Sequence, residues 1–411
     1  MAQIDTFNRR RFGAMLAAVG GYAAAVRFLG EGELLSSLLP SAWAEGLASA
    51  PQMARYPQKT DLILLTDRPP QLETPLRYFE SELTPNDAFF VRWHLAGIPT
   101  SVNTRTFRLE VGGRVKNPLQ LSLHDLQTKF EAVSVVALCQ CAGNSRSLFE
   151  PRVAGGQWGN GAMSNARWKG VRLKDVLDAA GVEPATVEVG FRGLDTAPLP
   201  QTPRFEKSLP IDRARDGEVL IAYEMNGAPL PMLNGFPIRL VVPGWYATYW
   251  VKSLSEITVL DQPLKTFWMD TAYRIPNNAG AEETPQQLSK VTVPITRMSV
   301  RSIFVKPTLG EHLSVGRAYT IKGVANDGGS GIRKVEVSTD EGKTWSDAKL
   351  GTDLGKYSWR QWSAPWKPTD KGTYRLQVRA ISNDGRQQVT SQWNRSGYQR
   401  DVIEHVEVVV A

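Results

Sequence analysis

The 411-residue chain is poor in the residues that build metal and redox sites on their own. It has two cysteines, Cys139 and Cys141, and four histidines, His94, His124, His312 and His405. So few cysteines exclude a disulfide-stapled fold and a cysteine-ligated iron–sulfur cluster. No Cys-x-x-Cys-His run exists for covalent haem attachment. The apolar stretch near the N-terminus is interrupted by Arg27 and built of small residues, so it does not read as a membrane span. Internal repeats and low-complexity tracts are lacking too. The formal net charge of +7 is scattered. It lacks the dense basic run with interleaved aromatics that marks nucleic-acid binding. It reads as solubility plus attraction to anions or to an acidic partner.

Both cysteines fall in one stretch. Val133–Leu138 is a β-branched apolar run, a buried strand by pattern, and it leads straight into Cys141-Ala-Gly-Asn144, where Gly143 and Asn144 favour a turn. Arg146 lies five residues beyond Cys141 and Trp158 closes the segment. Four readings of Cys141 are open. It is a small buried hydrophobe. It pairs with Cys139, which neighbours two apart in a strand do poorly. It is a nucleophile, although no histidine is local to activate it. Or it is a soft thiolate ligand to a metal that brings its other ligands with it.

The run Gln140-Cys-Ala-Gly-Asn-Ser-Arg146, then Trp158-Gly159, then Gly161-Ala-Met-Ser-Asn-Ala-Arg-Trp-Lys-Gly170 resembles the core of the sulfite oxidase and sulfite dehydrogenase family. The resemblance implies molybdenum held on a pterin dithiolene and on one protein cysteine. Cys141 is then the metal ligand and Cys139 a packing residue. In Phe90-Val-Arg-Trp-His-Leu95, Arg92 is assigned to the oxyanion pocket, and Phe90 and His94 to the pterin. Asp195, after Gly193-Leu194, matches a pterin-contacting position. Arg239 sits inside the apolar run Phe236–Pro243, where it is costly unless paired, and the family sets an arginine here against the pterin phosphate. Trp250 and Lys252 join that cradle. Asn234 stands where vertebrate members have histidine, and is kept as a pterin contact. Tyr273 is the expected active-site tyrosine. Arg395, in Trp393-Asn-Arg-Ser-Gly397, is one place off the vertebrate arginine. The catalytic set by resemblance is Arg92, Arg146, Trp158, Tyr273 and Arg395.

The expected fold class is α+β: a mixed molybdopterin domain followed by an immunoglobulin-like β-sandwich that makes the dimer. Residues 1–44, with Arg9-Arg10-Arg11 before a weakly apolar stretch and Ala42-Trp-Ala44 at the end, read as a twin-arginine signal for export of a folded protein to the periplasm. Residues 45–285 form the catalytic part, and the Pro-rich segment 45–80 is expected to run as an extended surface arm. Strands are expected at Ala88–Arg92, Thr106–Val111 and Thr186–Arg192, and a helix at Leu173–Ala180 stopped by Gly181. A polar linker follows, and short alternating strands fill residues 290–411, with Trp345 a core aromatic. The implied activity is oxidation of sulfite to sulfate at molybdenum-molybdopterin. No haem is expected in this chain, so electrons would leave to an external c-type cytochrome. Three other readings are weighed. One is a sulfane dehydrogenase of a thiosulfate-oxidising system. Another is a periplasmic molybdenum reductase acting on methionine sulfoxide, which the sandwich argues against. The last is an exported scaffold with no metal at all.

Overall fold

The computed structural model describes residues 53–411. The signal expected over residues 1–44 lies outside them. The strand that carries the cysteines runs over Ala132–Gln140 and pairs antiparallel with Met163–Arg172, Cys139 facing Ser164 and Gln140 facing Met163. From Val136 onward every residue of the strand is buried. Side chains alternate in a strand, so the two faces meet different partners. Ala137, Cys139 and Cys141 belong to the large core that also holds Trp168, Ile221 and Leu240. Leu138 and Ala142 pack on the opposite side with Ile303, Val305 and Val324. An apolar run rather than a clean alternation is what a strand covered on both faces requires.

Around it stand Leu220–Met225, with Arg239–Val241 and Ala228–Pro229 on its edges. A second, five-stranded sheet runs in the order Glu206–Pro210, Glu188–Gly193, Leu254–Leu260, Leu109–Gly113, Leu119–Leu121. Only its Leu254–Leu260/Leu109–Gly113 pair is parallel. The helix Leu173–Ala180 buries Leu173, Val176, Leu177 and Ala180, an i, i+3, i+4, i+7 stripe. It ends as expected at Gly181, whose φ of +70° lets its N–H reach back to the carbonyls of Leu177 and Asp178.

Three expectations are corrected. The Pro-rich segment is not a surface arm. Leu62–Asp67 and Pro70–Glu73 are strands of a sheet that continues into Val91–Arg92, and Leu62, Leu72 and Phe79 are buried. The expected strand Ala88–Arg92 shrinks to Val91–Arg92. Trp345 is only half-buried, under the Arg379 guanidinium at 4.2 Å from its ring centroid, because it adjoins the edge strand Ser346–Asp347 on the outward face of its sheet.

The C-terminal part is a two-sheet sandwich. Arg301–Lys306, Tyr319–Asn326 and Arg360–Trp366 make one sheet. Ile332–Ser338, Gly372–Ser382 and Glu404–Val410 make the core of the other. Inward residues of both, Ile321 and Trp362 against Val335, Leu376 and Val408, form a single core. One buried arginine ties the sandwich to the cysteine loop. Arg301 Nη2 donates to Ser145 Oγ at 2.6 Å, to Asn160 Oδ1 at 2.9 Å and to Glu404 Oε1 at 2.8 Å. Removing Arg301 leaves the buried Glu404 carboxylate with Arg400 alone, whose Nε donates to it at 3.1 Å, and cuts the tie to Ser145 and Asn160. Arg301→Ala is therefore expected to lower unfolding free energy by about 3 kcal/mol, measured as a drop in the urea midpoint; an unchanged midpoint would show that the pair is dispensable.

Candidate active site

At the end of its strand the chain turns sharply. The Cys141 N–H donates to Ala162 O at 2.9 Å, and the buried Asn144 accepts the Ala162 N–H through Oδ1 at 2.9 Å. Ser145 takes a φ of +66°, which swings Arg146 back beside Cys141. The returning strand is fixed by the buried Glu73 carboxylate, which accepts the N–H groups of Gly159 and Gly161, each at 2.8 Å. Arg146 lies in a slot that only glycines leave free. A Cβ at Gly143 would stand 2.5 Å from Nη2, and one at Gly155 2.8 Å from Nη1.

Two cavities meet here. The inner one is a narrow cleft of about 430 Å³, part of it continuous with solvent, lined by Phe90, His94, Asn234, Arg239 and Lys252, with Cys139 and Thr248. The outer one holds about 710 Å³, part of it continuous with solvent, and is lined by Arg146, Trp158, Ser396 and Tyr398, with Gln71. Arg92, Cys141 and Tyr273 line both. Cys141 thus stands at the junction, and both cysteines are free thiols.

The inner cavity is cationic, and no carboxylate lines it. Lys59 Nζ donates to the carbonyls of Asn86 and Phe89 at 2.8 and 2.9 Å and to Asn234 Oδ1. Burial lowers its ammonium to about 7, with Arg239 adding to the effect and Asp87 opposing it. Lys252 lies over the Trp93 ring at 4.7 Å and is also lowered to about 7, by burial first and then by Arg239. Arg239 donates to Asn234 O at 3.0 Å and Trp250 O at 3.2 Å, with the Trp168 ring centroid 5.1 Å away. Burial, with Arg92, Lys252 and Lys207, holds the His94 imidazole well below its usual range. His94 is therefore neutral. Its Nε2 shares a 2.6 Å hydrogen bond with the Tyr273 hydroxyl, and Phe205 stacks on it at 3.6 Å.

Most residues named from the sequence converge. Phe90, Arg92, His94, Asn234, Arg239, Lys252 and Tyr273 face the inner cavity, and Arg92, Arg146, Trp158 and Tyr273 the outer one. Trp250 stands behind Arg239, its indole N–H donating to Trp245 O at 3.0 Å. Asp195 lines a neighbouring depression, not these cavities, although Lys252 opposes the rise that burial imposes on its carboxyl. Arg395 is a correction. It turns away and binds the buried Glu283 carboxylate, Nε at 2.8 Å and Nη2 at 2.6 Å, holding that carboxyl down at about 2. What the sandwich sends into the outer cavity is Ser396 and Tyr398. Sequence reasoning also missed Lys59, Thr248 and the inner-cavity role of Cys139. For Cys139 the signal existed: two residues before Cys141 on a strand is the same face.

Among the described residues no cluster of three or more His, Cys, Asp and Glu is present. A metal at Cys141 must arrive with other ligands. The donor set fits such a group if it is anionic. Arg239 Nε and Thr248 Oγ1 are buried without a partner, and Lys252 offers an ammonium held only by an aromatic face. These are donors waiting for acceptor oxygens. Two family models match the chain, oxidoreductase molybdopterin binding domain over residues 95–268 and Mo-co oxidoreductase dimerisation domain over residues 292–409. Human mitochondrial sulfite oxidase is 36% identical over 360 residues, 84% of this chain and 64% of that protein. The chain belongs to the sulfite oxidase family. It spans less than two thirds of that relative's length. Within the family's reach, nitrate reductase [NAD(P)H] of Hordeum vulgare is 33% identical over 74% of this chain and 36% of its own. The solved structure of the sulfane dehydrogenase SoxCD from Paracoccus pantotrophus shares the fold, with a TM-score of 0.71, 24% identity and 92% of each chain covered. The residues that would hold the phosphate of such a group are Arg239, Lys252 and Thr248, and Cys141 is the thiol that would meet its metal.

The buried lysines make stability pH-dependent. Lys59, Lys207 and Lys252 stand at about 7 when folded, against about 10.4 in an unfolded chain. Between those values the unfolded state binds more protons, so stability rises with pH. Cofactor-free protein is expected to gain stability in urea from pH 7 to pH 9. Loaded protein should gain less, because a bound anion restores the lysine charge, and Lys252→Met should flatten the cofactor-free profile. A flat wild-type profile would contradict the assignment.

Proposed function

We propose that the protein oxidises sulfite to sulfate with a molybdenum–pterin group bound through Cys141, and releases the electrons to an external c-type cytochrome. The observation that carries this reading is the place of Cys141, at the meeting of a cationic inner cavity and an arginine-lined outer one. The balance is simple: sulfite and one water become sulfate, two protons and two electrons. When bound, the group supplies oxygen-atom transfer and stores the two electrons.

The chain supplies the rest. Arg92 and Arg146 hold the oxyanion by charge-assisted hydrogen bonds in a partly desolvated pocket, where such bonds are strong. Arg146 spends Nε on Ser396 O at 3.1 Å and Nη1 on Gly156 O at 3.2 Å, and Nη2 has no bond among the described residues. Trp158 closes the wall. The Tyr273 hydroxyl joins the cavity to His94 Nε2, and the imidazole, held neutral, orients that hydroxyl. Tyr273 holds this place with a φ of +60°, a conformation rare outside glycine and kept at functional sites. The sandwich serves as the dimerisation module of a homodimer, and the leader over residues 1–44 delivers the loaded enzyme to the periplasm. The size of the outer cavity supports one further reading, oxidation of sulfur carried on a larger molecule; activity on free sulfite separates the two.

Elemental analysis joined to a sulfite-dependent cytochrome c reduction assay tests the proposal. Molybdenum at about one per chain and sulfite-dependent turnover are expected; protein without molybdenum or pterin after expression in a cofactor-producing host would refute it. Cys141→Ser should retain the fold by circular dichroism and lose turnover. Arg146→Gln should raise the sulfite KM at least about tenfold, the scale of one charged hydrogen bond, with molybdenum content unchanged.

A further inference from the structure

The outer cavity is finished by the C-terminal sandwich, and the residue that finishes it is a tyrosine. Tyr398 stacks on Tyr273, ring centroids 5.5 Å apart and planes 4° from parallel. The Arg146 guanidinium carbon lies 4.9 Å from its ring centroid. Its backbone is clamped at both ends by the buried Asn394, Oδ1 accepting the Tyr398 N–H at 3.1 Å and Nδ2 donating to Tyr398 O at 2.9 Å. The same loop is pinned to the chain beside Tyr273, Ser396 Oγ donating to Arg274 O at 3.0 Å. The ring is therefore fixed. The residue lines the cavity beside Arg92, Arg146 and Cys141, and the polar side chain that meets its hydroxyl is Arg146. A guanidinium only donates, so the phenol beside it keeps its own proton to give to an acceptor oxygen arriving in the cavity.

We infer that Tyr398 is a third binding group of the outer cavity, a neutral donor to one oxygen of the sulfur oxyanion that Arg92 and Arg146 hold by charge. The inference rests on the reading that this cavity takes a small sulfur oxyanion. It gives the sandwich a direct part in substrate affinity. A neutral donor adds a directed bond without adding a third positive charge next to Arg92 and Arg146. The cavity then selects by oxygen geometry as well as by charge.

Tyr398→Phe in the molybdenum-loaded enzyme is the test, because it keeps the ring, its stacking and its contact with Arg146. The sulfite KM is expected to rise about tenfold and kcat to fall by a smaller factor. Sulfate affinity, titrated by intrinsic fluorescence of the resting enzyme, is expected to weaken about tenfold as well. Tyr398→Leu, which removes ring and hydroxyl together, should weaken sulfate at least as much. Sulfate affinity and sulfite KM within twofold of wild type in Tyr398→Phe would overturn the inference. So would a loss of kcat with KM unchanged. The sulfate titration needs no turnover, so a wild-type enzyme that binds sulfate but does not oxidise sulfite would sink the proposed reaction and leave the role of Tyr398 to be judged by the titration.

Discussion

The structure is built around positive charge that the protein itself leaves unbalanced. Arg92, Arg146, Arg239 and Lys252 line the two cavities, with Lys59 behind Asn234, and none makes an ion pair with a carboxylate among the described residues. Carbonyl oxygens and aromatic faces hold them instead. Such an arrangement is unfavourable in isolation, since desolvated cations need partners. The same burial pushes the ammonium groups of Lys59 and Lys252 down. The balance is restored when anions enter, one expected from the cofactor phosphate and one from the substrate. The same charge that makes the empty site costly would give a bound anion its affinity.

That cluster must be held rigidly, and the strand Ala132–Gln140 does so by lying between two cores. One face builds the wall of the inner cavity through Cys139 and Cys141, and the other is packed against the sandwich through Leu138. The sandwich is therefore part of the site's foundation. Arg301 reaches from it into the cysteine loop, and the backbone carbonyl of Ser396 fixes Arg146. A protein with the first part alone would lose one wall of the outer cavity and the packing behind Cys141.

How much of this was legible in the sequence depended on whether the signal was local. Arg239 announced itself because a charge inside an apolar strand needs a reason. Cys141 and Arg146 were legible because a buried strand ran into a turn. Arg92 and His94 share a face by spacing alone. Lys59 carried no such mark. It lies in a proline-rich stretch that reads as a surface arm, and its meaning comes from Asn234, 175 residues away in the chain. The arm was misjudged for the same reason. Its alternation at Leu62, Leu64 and Leu72 is weak, and pairing with Val91–Arg92 is what makes it a sheet. Trp345 was misjudged because a large aromatic is not by itself a core residue, and an outward sheet face with an arginine above it serves it equally well.

The fate of Arg395 shows how competition between sites decides which residue reaches the cavity. Its motif, Trp393-Asn-Arg-Ser-Gly397, enters the outer cavity, yet the arginine faces the other way. Glu283 explains the choice. Its carboxylate is almost wholly buried and accepts from the Arg395 guanidinium, from the Arg395 backbone N–H and from Ser289 N–H. A buried carboxylate without a cation is among the costliest arrangements in a protein. The cavity, in contrast, already holds two guanidinium groups, and a third would be repelled by both. The one available cation therefore goes to the acid, and the loop offers the cavity what remains: a carbonyl for Arg146 and an uncharged hydroxyl on an aromatic ring. Positive charge at the mouth is thereby capped at two arginines, and the last contact to the substrate is left to a directional, neutral donor.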